Sequence, residues 1–121
     1  MFTDPMERRV LLAMAINQRQ TYTTAELRFC AVVQPHEVKA FETAIQSLHA
    51  GGALQCGLHK VAGWSVPVVT KPAYDGTVHA AAQKIRQAIG YMACQEAARR
   101  PHANLRLSPQ MLAELPQTSA A

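Results

Sequence analysis

The sequence predicts a mainly α-helical fold with one small β-hairpin. Three observations carry that expectation. Residues 23–49 hold two helix-start signals, Thr23 with Glu26 at capping-box spacing and Gln34 followed by Pro35. Gly51-Gly52 then stops the second of these helices, since glycine accepts the left-handed conformation favoured at a helix C-terminus. Beyond that point, helical steps of three and four give way to short β-capable runs.

Taken in order, the chain opens on Asp4-Pro5-Met6-Glu7, with a capping aspartate, proline at the first helical position and glutamate at the third. This helix should run to Asn17 or Gln18. Val10, Leu11, Met14 and Ile16 should face inward, and Glu7, Arg8, Asn17 and Gln18 should face solvent. Its apolar run, residues 10–16, is too short to span a bilayer and suits a buried helix face better than a signal peptide. Tyr22-Thr23 has β preference and should add a short strand beside the hairpin.

A second helix is expected over residues 24–31, with Leu27 and Ala31 inward and Phe29 or Cys30 near the interface. Val32-Val33-Gln34 should turn the chain into a third helix over residues 35–49. There Val38, Phe41, Ile45 and Leu48 share one apolar face, and His36, Lys39, Thr43, Gln46, Ser47 and His49 lie on the outer one with Glu37 and Glu42. Residues 53–58 and 61–66 should form two antiparallel strands joined near His59-Lys60. Leu54, Cys56 and Leu58 would be the alternating apolar members of one strand, and Trp64 and Val66 those of the other. Trp64 is expected to close the hairpin onto the third helix.

Helix, turn, helix, hairpin is the order of a winged helix-turn-helix. Residues 48–54 and Gly63-Trp64-Ser65-Val66 resemble that superfamily where the recognition helix meets the wing. The resemblance covers about residues 5–66. It implies a winged helix-turn-helix domain over 1–68. The proline-bounded stretch closed by Asp75-Gly76 reads as a linker over 69–77, and a helical extension over 78–115 is expected for dimerisation or docking. The tail, 116–121, is expected to be disordered. In the extension, a long helix from Val78 to about Arg100, capped by Thr77 or Asp75, carries Val78, Ala82, Ile85, Ile89 and Met92 in a heptad-like stripe. That stripe suits packing on the winged domain or pairing with a second copy. Arg99-Arg100 complements the dipole at the end of that helix, and Ser108-Pro109 should open a last short helix to about Leu115.

Charge weighs on function. The formal net charge is +4, which favours an anionic partner. Residues 1–66 hold six basic groups against five acids, whereas residues 67–121 hold six against three. The expected reading head is therefore almost neutral. No Walker loop, GxGxxG or GxSxG occurs, and Cys30 and His36 straddle a turn without a third group, so an enzyme is not expected. The five histidines are dispersed with no pair at i, i+4, so neither a metal nor another cofactor is expected. Cys30, Cys56 and Cys94 form no CxxC pair and read as small reduced hydrophobes of a cytoplasmic protein.

Two functions compete. The first is a small transcriptional regulator of bacterial, phage or mobile-element type, a homodimer on double-stranded DNA. His36, Lys39, Thr43, Gln46 and Ser47 would read the major groove, His59 and Lys60 would reach from the wing, and Arg8, Arg9 or Arg28 would grip the backbone. The second is a winged-helix module that binds a protein, such as a phage-encoded inhibitor or adaptor of a host protein, with Trp64, Tyr74 or Tyr91 as anchors. Neither reading involves a membrane.

Overall fold

The computed structural model describes residues 4–17, 20–71, 76–89 and 105–113. It is mostly helical with a small three-stranded antiparallel sheet. In order, the elements are α1 (Pro5–Ile16), β1 (Thr21–Thr23), α2 (Thr24–Cys30), a 3-10 turn (Pro35–Glu37) and α3 (Val38–Ala50). β2 (Gln55–Val61), β3 (Trp64–Thr70), α4 (Gly76–Ile89) and α5 (Pro109–Ala113) follow.

α1 begins as its cap signals require: an Asp4 carboxylate oxygen accepts the Glu7 N–H at 3.0 Å. Its exposure differs from expectation. Glu7, Arg8 and Asn17, expected in solvent, are buried, with Arg8 only 4% and Asn17 3% exposed. The reason is packing: α2, α3 and α4 all lie against α1 and leave it little open face. Val10, Leu11, Leu12, Ala13, Met14 and Ile16 are correspondingly buried around its circumference. Gln18 lies outside the described residues.

Burying the end of α1 requires partners for its last carbonyls. The Asn17 amide donates to the Ala13 carbonyl at 2.7 Å, and the Tyr22 hydroxyl is 3.1 Å from the Met14 carbonyl. Asn17 also pairs with the backbone of Leu105, accepting its N–H at 2.8 Å and donating to its carbonyl at 3.1 Å. One polar side chain thus closes α1 and holds the returning chain. Leu107 N–H then donates to the Cys30 carbonyl at 2.8 Å.

The Thr23–Glu26 box starts α2 reciprocally: Thr23 N–H donates to Glu26 Oε1 at 2.9 Å and Glu26 N–H to Thr23 Oγ1 at 3.0 Å. Leu27, Cys30 and Ala31 are buried, whereas Phe29 is exposed beneath the Arg106 guanidinium, 4.6 Å from its ring centre. The helix closes through Val32 at φ 54°, with Val33 N–H on the Arg28 carbonyl and Val32 N–H on that of Phe29. That is the glycine-type ending carried by a β-branched residue, a costly conformation. The third helix begins with a 3-10 turn at Pro35, not with α-helix, and α3 proper starts at Val38. Phe41, Ala44, Ile45 and Leu48 are buried, and Gly52 at φ 77° closes α3, with Ala53 N–H on the Leu48 carbonyl.

The hairpin is longer than expected and turns elsewhere. Ala62 and Gly63, at φ 51° and 84°, form its two-residue loop, so His59 and Lys60 stand within β2. Two consecutive positive φ values suit the twist of antiparallel strands, and Gly63 adopts one without strain. The register runs from Val61↔Trp64 to Gln55↔Thr70, and β1 pairs on the other side of β3 from Thr21↔Thr70 to Thr23↔Val68. Val69 and Thr70, expected in the linker, are therefore strand. Leu54 is buried as expected, but Cys56 is exposed, Leu58 is 70% exposed and Trp64 77% exposed. Trp64 does not close the hairpin onto α3.

α4 starts at Gly76, which places Thr77 inside the helix. Asp75 lies outside the described residues, as do Tyr74, Tyr91, Cys94, Arg99-Arg100, Leu115 and residues 116–121. Val78, Ala81, Ala82 and Ile85 join the same buried cluster as α1 and α3, together with Leu107. Ser108 Oγ accepts the Met111 N–H at 3.2 Å at the start of α5. Among the described residues no helix is long and apolar enough to cross a membrane.

Asn17→Ala should cost about 2 kcal/mol, because it leaves buried backbone groups unpaired at both α1 and Leu105. Urea denaturation measures this, and a change below about 0.5 kcal/mol would show that water replaces the amide.

Candidate functional site

α3 commits its apolar side to the core, and so its opposite side faces outward. Lys39, Thr43, Gln46 and Ser47 lie along that side and are exposed, as is His36 on the preceding 3-10 turn. His49 and Glu42 are exposed too. Thr43 Oγ1 donates to the Lys39 carbonyl at 3.0 Å, which uses its proton within the helix and leaves its lone pairs outward. The face therefore offers one fixed cation, an amide and two hydroxyl groups. An open groove of about 610 Å³ runs beside it, between Asp4, Met6 and Glu7 of the α1 start and Lys39, Thr43 and Ser47 of α3.

Glu37, expected on that face, is occupied. Arg9 takes its carboxylate with both terminal nitrogens, at 3.0 and 2.8 Å. The same guanidinium donates to the carbonyls of Ala31 and Val32 at 2.9 and 3.0 Å. These Arg9 bonds, then the Gln34 N–H, lower the Glu37 pKa from 4.5 to about 2, against a smaller upward push from burial. The pair's charges cancel locally, and α3 is tied to α1 at its first turn.

The expected site residues divide accordingly. His36, Lys39, Thr43, Gln46 and Ser47 form one exposed face. His59 and Lys60 are exposed on β2, a separate element, and not at its tip. Arg28 is half-buried in the last turn of α2. Arg8 is buried and Arg9 is engaged inside the fold, so neither is placed to grip a backbone. Val78, Ala82 and Ile85 of the expected dimerisation stripe are buried within the chain against α1; Ile89 ends α4, and Met92 lies outside the described residues.

Sequence reasoning missed Arg9 as a hub and the exposure of Leu58 and Trp64. Arg9 had a weak signal, a charge beside an apolar helical run. The hairpin side chains had a stronger one, since Ala62-Gly63 marks a turn that carries both strands away from the core. Burial raises the Cys56 thiol pKa even though the residue is largely solvent-accessible, which keeps it protonated at neutral pH. Among the described residues no group of histidine, cysteine or carboxylate side chains is arranged to hold a metal ion.

No protein-family model, curated protein or solved structure matches the chain.

Arg9→Ala should destabilise the fold by about 2 kcal/mol through loss of its charged hydrogen bonds. Because folding depresses the Glu37 pKa, the pair's contribution is complete above 4.5 and is lost as pH falls towards about 2. Glu37→Gln should therefore flatten stability across that acid range relative to wild type. Chemical denaturation at several pH values tests this, and identical pH profiles for the two proteins would dismiss the coupling.

Proposed function

We propose that this chain is a winged helix-turn-helix protein that binds double-stranded DNA as a transcriptional regulator, with α3 as its reading helix. The observation that carries the proposal is the outward face of α3, where His36, Lys39, Thr43, Gln46 and Ser47 are exposed together. Gln46 offers the paired donor and acceptor that adenine presents in reverse, and Lys39 supplies a phosphate contact. The element order and the strand order β1-β3-β2 accord with a wing following the reading helix. The Arg9–Glu37 pair removes one objection, because the acid nearest the start of α3 does not face a phosphate uncompensated.

The test is binding to a labelled duplex pool across a salt series. Lys39→Ala and Lys60→Ala should each weaken binding on every sequence and reduce the salt slope by about 1. Gln46→Ala should instead change which sequences are selected. No binding at about 50 mM salt, or equal losses for all three variants on every sequence, would defeat the proposal.

A second reading, a module that binds a protein, draws support from the 77% exposure of Trp64, the chain's only tryptophan. An indole in that position is an interface anchor when a partner covers it. Trp64→Ala should change stability by no more than about 0.5 kcal/mol, because the ring buries little in the chain alone. Native emission should resemble that of a water-exposed indole and move to the blue when a protein docks on the hairpin. Blue-shifted emission from the chain alone would contradict this exposure.

A further inference from the structure

The two long margins of the hairpin are not alike. On the β3 side, β1 covers only residues 68–70, and Pro67 stands just past the last pair, Thr23↔Val68. Proline has no N–H to offer a further strand, so that margin is blunted. On the other side, β2 is an edge of seven residues whose only strand partner among the described residues is β3. It contains no proline, and residues 55–60 are all exposed.

The turn determines which backbone groups that edge presents. A two-residue loop is closed by a hydrogen-bonded pair, here Val61↔Trp64. Alternation then makes His59↔Val66 and Gly57↔Val68 hydrogen-bonded and leaves Lys60↔Ser65, Leu58↔Pro67 and Cys56↔Val69 without reciprocal bonds. Pro67 agrees with this phase, since it could not complete such a pair. The N–H and C=O groups of Cys56, Leu58 and Lys60 therefore point away from β3, along the open edge.

We propose that this edge pairs antiparallel with β2 of a second copy of the chain, with the two-fold axis at Leu58. In that register Leu58 meets Leu58 of the second copy, and Cys56 meets Lys60 in both directions. Every outward-facing group of the three residues finds a partner. An axis at Cys56 or Lys60 leaves groups at one end unmatched, and an axis at Lys60 also sets two like charges opposite each other. The Leu58 register keeps the lysines at opposite ends and covers the leucine that each chain exposes at 70%. It also closes: each copy spends the one long unblunted edge found among the described residues, so pairing through it stops at two. A second copy fits better than an unrelated strand because the pattern of the edge is its own complement. The inference does not depend on DNA binding.

The test combines solution mass with the register. Light scattering over a concentration series should show the full chain moving from about 13.2 kDa to twice that mass. Leu58→Lys places like charges on the axis and should hold the chain at monomer mass; circular dichroism should stay native, because Leu58 is exposed in the single chain. A short amine–thiol cross-linker applied to mixed isotope-labelled and unlabelled wild-type chains should join Cys56 of one copy to Lys60 of the other. Wild type that stays monomeric at every concentration overturns the proposal. So does a dimer that Leu58→Lys leaves intact, or a dimer in which that cross-link is absent.

Discussion

The Arg9 guanidinium is the contact that sets how α3 leaves the rest of the chain. From α1 it reaches the two carbonyls that follow α2 and the carboxylate that ends the next 3-10 turn, just before α3. A lysine could not do this, because the planar fork engages a carboxylate and two carbonyls at once from one fixed side chain. The contact also explains why Val32 tolerates a left-handed backbone. Its carbonyl is held by Arg9, and the helix-ending bonds on the Arg28 and Phe29 carbonyls bracket it. The strain is retained because the surrounding bonds leave the chain no easier path into Pro35.

Around that hub, α1 serves as the axis of the molecule. Its apolar residues point in several directions, and each direction is filled by another element. Such a helix gains burial on every side but forfeits water as a partner for its polar groups. The structure answers with specific bonds: Asp4 at the start, and Tyr22 and Asn17 at the end. Leu107 and α4 belong to the same cluster, so the second half of the chain contributes directly to the core of the first.

The local grammar was legible in the sequence. Asp4-Pro5-Met6-Glu7, Thr23 with Glu26, and Gly51-Gly52 each mark an element boundary that the structure keeps within a residue or two, because capping depends on neighbours three or four positions away. Most of the face of α3 was legible for a similar reason: periodicity separates Phe41, Ile45 and Leu48 from Lys39, Thr43, Gln46 and Ser47, although it counted the half-buried Val38 and passed over the buried Ala44. Long-range contacts were not legible. The burial of Arg8 and Asn17 depends on elements far along the chain, and no pattern within α1 announces it. Placing the turn at His59-Lys60 overlooked the backbone preference of Gly63 and shortened both strands. It also assigned inward positions to Leu58 and Trp64, which project beyond the core.

The Asn17–Leu105 pairing spans 88 residues. During synthesis, α1 and the whole sheet leave the ribosome before the backbone that completes the end of α1 exists. Non-local closures of this kind slow folding, because chain entropy is surrendered before the contact rewards it. The nascent chain thus holds the buried end of its central helix incomplete until residue 105 has been added. A chain cut before residue 105 would keep α3 with its exposed polar side chains, yet leave Asn17 without that backbone partner.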